Sequence, residues 1–80
     1  MTFFELRLFK ADGTCFRVDE IGNLADATAK FDRAVKVTSD YHKLIAVEPT
    51  IAKLCAFQIQ LVERNNAMTW LTEHNNWVAA

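Results

Sequence analysis

The sequence predicts an α+β fold: a four-stranded, mostly antiparallel sheet in the chain order β-β-α-(α)-β-β, with one or two helices packed on one face. Two segments near the chain ends carry the strand half of this reading. Phe4–Lys10 and Phe57–Arg64 each alternate apolar and polar residues, then run into residue types that tolerate left-handed backbone, Asp12-Gly13 and Asn65-Asn66. That pattern specifies a strand followed by a tight turn. Between the two copies, from Leu24 onward, apolar residues recur with the helical period.

The first hairpin joins Phe3–Lys10 to Cys15–Asp19. A two-residue loop would set Leu8 against Arg17 and Leu6 against Asp19, mixing apolar and charged side chains. A three-residue loop, Ala11-Asp12-Gly13, pairs Leu8 with Phe16 and Leu6 with Val18 and puts Gly13 at the left-handed bulge position. The expectation is therefore the second register. Asn23 is an N-cap residue, and Asp26 falls in the first turn, where the helix dipole favours negative charge. Leu24, Ala27, Thr28, Phe31, Ala34 and Val35 form one stripe, so a helix over about residues 24 to 36 should lie on the sheet face carrying Leu6, Leu8, Phe16 and Val18.

Residues 38 to 55 admit three readings. Thr38, His42 and Ile45 continue the helical period; Ser39-Asp40 could end one helix and cap another; Tyr41–Val47 could be a strand. Pro49 suits the first turn of a short helix through Ile51 and Leu54, which favours helical structure on both sides of it. In the second hairpin, Phe57, Ile59 and Leu61 point one way, Asn65-Asn66 turns, and Ala67–Thr72 returns. The rival is a helix over Asn66–Val78, with Trp70 and Trp77 on its stripe; the echo of the first hairpin favours strand. The tail from Glu73 is expected to start with a turn at Asn75-Asn76.

The 80 residues make one domain, 1–80, with 51% hydrophobic and 24% charged residues. Nine basic residues are scattered among ten acidic ones, for a net charge of −1. Nucleic-acid binding needs a clustered basic surface, so charge nominates no nucleic acid. Met1-Thr2-Phe3-Phe4-Glu5 lacks a basic leader followed by a long apolar stretch, and no apolar run approaches a membrane span. The expected compartment is cytoplasmic, with Cys15 and Cys55 reduced and buried, although a disulfide between them stays open.

Chemistry is sparsely supported. Asp19-Glu20 and Asp26/Lys30 read as a strand end and a solvated helix face, without an apolar pocket to tune an acid. His42 and His74 lack companions at metal-ligand spacing, and neither cysteine has a base beside it in sequence. The only glycines, Gly13 and Gly22, make no phosphate loop. The reading is a non-enzyme without cofactor or metal. The aromatic residues stand out instead. In the expected register Phe3, Phe9 and Cys15 share the sheet face opposite Leu6 and Leu8, and Val62, Met68 and Trp70 share the face away from Leu61. Glu5, Arg7, Arg17, Gln58 and Gln60 lie among them. Either residues 38 to 55 or the Trp77 tail fold back over this second face, or another protein covers it. Phe9, Arg17, Tyr41, Val62, Met68, Trp70 and Trp77 are the candidate protein-binding residues, since Trp, Tyr and Arg anchor such contacts most often.

The hairpin turning at Asp12-Gly13, the helix Leu24-Ala25-Asp26-Ala27-Thr28-Ala29-Lys30-Phe31 and the strand Gln60-Leu61-Val62-Glu63 together resemble small phage-encoded β-β-α-β-β proteins. The resemblance skips residues 38 to 55. It implies a non-enzymatic binder of a host protein complex, of the anti-defence or anti-CRISPR kind. Two alternatives remain: a structural homodimer whose second sheet face is the subunit interface, and a small-ligand or metal-binding protein using His42 or His74.

Overall fold

The computed structural model describes residues 2–65 and 70–79, the side chain of Trp70 excepted. Along the chain come β1 (Thr2–Phe9), β2 (Cys15–Ile21), α1 (Leu24–Ile45), a 3₁₀ helix (Pro49–Leu54), β3 (Gln58–Asn65) and β4 (Trp70–Val78). The four strands form one sheet of order β2-β1-β3-β4, antiparallel at every seam. Both antiparallel strand pairs are present, with the turn expected after Asn65 lying outside the described residues, and β1 and β3 join them along their inner edges. Both helices lie on one face.

Local chemistry accounts for most boundaries. At the first turn the Gly13 N–H donates to the Lys10 carbonyl at 2.9 Å, and the Lys10 N–H donates to the Thr14 carbonyl at 2.8 Å. Gly13 sits at φ +86°, left-handed backbone that a side chain would oppose. The three-residue loop is thus as the sequence implies. At α1 the Asn23 Oδ1 accepts from the Asp26 N–H at 2.8 Å, and Asn23 Nδ2 donates to Asp26 Oδ2 at 2.9 Å. The cap satisfies one of the helix's open donors and places a carboxylate at the positive end of its dipole. α1 runs on through Thr38 and His42 to Ile45, and Pro49 then opens the 3₁₀ helix.

The register of the first hairpin departs from expectation. Phe9 pairs with Cys15, as a three-residue loop requires, but the ladder then shifts by one: Leu8 lies opposite Arg17, Leu6 opposite Asp19 and Phe4 opposite Ile21. Phe16 is the extra residue of a β-bulge. A one-residue shift exchanges the two faces of a strand. Arg17 and Asp19 therefore share the helix side with Leu8 and Leu6, and Val18 turns to the open side. The exchange brings Ile21, rather than Glu20, opposite Phe4 beneath the start of α1, where it is 6% exposed. Val18 and Phe16 are left 48% and 40% exposed.

The core fills the space between α1 and the two central strands. Phe4, Leu6, Ile21, Ala27, Phe31, Ala56, Ile59 and Leu61 form it, with Leu8, Ala34, Val35 and Trp77 packed at its margin. Ile59 and Leu61 are fully buried, each contributing roughly 1.5–3 kcal/mol by removal from water. β4 corrects two further expectations. It continues through Asn75-Asn76 with no turn there, and it pairs Val62 with Glu73, Leu61 with Asn75 and Ile59 with Trp77. Trp77 accordingly packs on the helix side and covers nothing on the other face. Cys55 is buried, but Cys15 is exposed, and both are free thiols.

Leu61→Ala should lower stability to urea by about 2–5 kcal/mol, whereas Val18→Ala should change it by no more than about 0.5 kcal/mol. The turn also carries a pH signature. The Thr14 backbone N–H donates to Asp12 Oδ1 at 2.9 Å and, as the largest cause, holds the Asp12 carboxyl below its ordinary value of 3.8. A carboxyl depressed on folding stabilises the fold above its unfolded pKa, and that contribution disappears as pH falls through the lowered one. The melting-temperature difference between the parent and Asp12→Ala should accordingly be full at neutral pH and vanish in acid. NMR titration should place Asp12 below 3.8.

Candidate protein-binding groove

The displaced face of β2 creates the main concave feature. α1 packs chiefly over β1 and β3 and only lightly over β2, because Arg17 and Asp19 stand where an apolar seat would be needed. A groove opens between them. One section, about 330 Å³, is floored by Leu8 and Cys55 and walled by Phe16, Val37, Tyr41, Ile51 and Leu54. A second section of similar size continues along Asp19, Lys30, Arg33 and Ala34. Leu8, Arg17, Val37 and Thr38 line both.

Its apolar wall comes from three elements. On α1, Val37 and Tyr41 line it, 47% and 51% exposed, and Leu44, 50% exposed, continues their helical spacing beyond the groove. They form a second stripe beside the one that faces the core. On the 3₁₀ helix, Leu54 is 75% exposed, while Cys55 Sγ donates to the Ile51 carbonyl at 3.3 Å and ties the segment's end. On β2, Phe16 stands at the mouth with Lys10 Nζ 5.9 Å above its ring. Arg17 lies at the rim, bonded through Nε to Asp19 Oδ2 at 3.2 Å.

The candidate residues of the sequence reading separate. Tyr41 and Arg17 both line this groove. Phe9 is half-buried on the open side of the sheet, the side opposite Arg17. Val62 is buried there, 5% exposed and unavailable to a partner. Trp77 is edge-on to His42, with ring centroids 5.8 Å apart, at the margin of the core. Met68 and the Trp70 side chain lie outside the described residues; the Trp70 backbone pairs with Asn65. Phe16, Val37 and Leu54 were missed. The i, i+4 spacing of Val37 and Tyr41 is the sequence signal that marks this wall.

The open side of the sheet is organised by charge. Glu5 is 4% exposed and accepts from Arg7 Nη2 at 2.8 Å and from Arg64 Nη1 at 3.2 Å. Arg64 in turn stacks its guanidinium 5.9 Å from the centre of the Phe3 ring. Neither the segment 38–55 nor Trp77 covers this side, contrary to one sequence expectation. The two histidines have structural partners. His42 Nε2 bonds to the Ala56 carbonyl at 2.7 Å, and His74 Nε2 lies 3.4 Å from Glu63 Oε1 with its ring edge-on to Phe4. Among the described residues no three His, Cys, Asp or Glu side chains gather as a metal site. No helix among them is long and apolar enough to cross a membrane.

No family model, curated protein or solved structure matches this chain.

Removing the Glu5 carboxylate leaves two guanidinium groups without their shared acceptor. Glu5→Ala should destabilise the fold by about 1–3 kcal/mol in urea unfolding. Arg7→Ala and Arg64→Ala should each cost less, because both side chains reach solvent.

Proposed function

We propose that this chain is a small non-enzymatic protein-binding module that receives an apolar feature of a partner protein in the groove between β2, α1 and the 3₁₀ helix. The observation that carries this reading is the exposed apolar wall of Phe16, Val37, Tyr41 and Leu54 around a 330 Å³ cleft. Monomeric proteins rarely leave contiguous apolar surface of this kind in water, and such patches mark interaction sites. Tyr41 and Arg17, both on the groove lining, are residue types enriched at the energetic centre of interfaces. The β-β-α-β-β style adds a specific form of the reading, a phage-type inhibitor of a host protein complex acting in the cytoplasm.

The open side of the sheet supports a docking role less well, since Glu5, Arg7 and Arg64 satisfy one another across its centre. A small-ligand role for His42 or His74 has less support, because both rings are held by structural contacts.

With the chain as bait, Tyr41→Ala and Leu54→Asp should each lose a captured partner at least about tenfold while melting like the parent. Retention of the partner by both variants would sink the groove assignment. Trp77→Ala should behave in the opposite way, losing about 1–3 kcal/mol of stability through the core margin. At temperatures where it remains folded, its partner binding should be unchanged.

A further inference from the structure

β2 is an edge strand with a feature that the groove does not use. Along β1 the carbonyl of Phe9 accepts from the Phe57 N–H at 2.7 Å and so points towards β3. Backbone groups alternate sides along a strand, so those of Leu8, Leu6 and Phe4 point towards β2. Their partners Arg17, Asp19 and Ile21 point back. The N–H and C=O of Val18 and Glu20 therefore project from the free edge, and among the described residues no strand pairs with it. Beyond the bulge the run Arg17–Ile21 is regular, whereas the other edge strand, β4, carries a register shift in its middle, where Val62 follows Leu61.

We propose that this edge recognises a second copy of the chain, the two β2 strands pairing antiparallel about a two-fold axis at Val18 to make one continuous eight-stranded sheet. The occupant is set by charge. With the axis at Val18, the two valines exchange hydrogen bonds, and Arg17 of each copy lies directly opposite Asp19 of the other. Those flanking positions are non-hydrogen-bonded pairs, in which side chains stand closest. Moving the axis by one residue sets Arg17 against Arg17 or Asp19 against Asp19; moving it to Glu20 sets Glu20 against Glu20. One register is thus matched and its neighbours are repelled. Charges facing inward on an edge strand ordinarily discourage strand addition; here their alternation discourages other strands while matching this one.

The pairing engages Arg17 and Asp19, which also line the groove, but none of Val37, Tyr41 or Leu54; it involves a small area, so the association is weak and is read at high concentration. Sedimentation equilibrium of the full chain should show a reversible dimer. Arg17→Asp and Asp19→Arg should each weaken dimerisation by about tenfold or more, and the double variant, with the charges exchanged, should restore it to within about threefold. Val18→Lys, which places like charges on the axis at an already exposed position, should also abolish the dimer without altering the melt. A monomer at all concentrations up to about 1 mM overturns the proposal, as does a dimer indifferent to the single charge reversals. Tyr41→Ala and Leu54→Asp should leave dimerisation intact, so loss of the dimer in these variants counts against the edge, and failure of the edge leaves the groove reading standing.

Discussion

The one-residue shift at Phe16 decides what the rest of the molecule can be. Without it, Phe16 and Val18 would complete an apolar seat on β2, and α1 could lie across the full width of the sheet. With it, Ile21 enters the core opposite Phe4, and the remainder of β2 presents Arg17 and Asp19 to the helix. Seating α1 over those charges would strip water from them, which costs more than the contact returns. The helix stays over β1 and β3, and the cleft is what remains.

Two different solutions hold the two sides of the sheet. The helix side relies on burial, with Ile59 and Leu61 at its centre. The open side has no layer over it, so the central strands are shielded by their own long side chains: Arg7 and Arg64 close over Glu5, and the aromatic ring of Phe3 lies under Arg64. The arrangement explains how a carboxylate and Val62 are both buried on a face that no helix covers. It also keeps like charges tolerable where Glu5 lies opposite Glu20.

Much of the architecture was legible because it is written in local chemistry. Gly13 demanded its turn, Asn23 its cap and Pro49 its break, and the alternation of Phe57–Arg64 gave β3. The bulge was not legible, because apolar alternation along Cys15–Ile21 favours the register that keeps Phe16 and Val18 with Leu8 and Leu6, and the observed one sets Arg17 and Asp19 beside them instead. The choice depends on Ile21 lying opposite Phe4 and joining the core cluster with Phe31, Ile59 and Leu61, which exists only once the helix and β3 are packed on β1. Asn75-Asn76 reads as a turn by propensity, but pairing with Gln60 and Leu61 carries the strand through it. For the surface, Tyr41 and Arg17, chosen by residue type, fall on the groove lining. Trp77 packs at the core margin on the helix side, a face set by its pairing with Ile59, and the wall formed by Phe16, Val37 and Leu54 depended on where α1 and the 3₁₀ helix converge.

The strand order also governs how the chain must assemble itself. Each ribbon pairs strands that are neighbours in sequence, but the seam between β1 and β3 unites strands on either side of the helices. Bringing such remote stretches together is the entropically slow part of a folding reaction. The rate of folding therefore tracks contacts such as Leu6 with Leu61, more than the pairing within either ribbon, and φ-values at those two positions measure it directly.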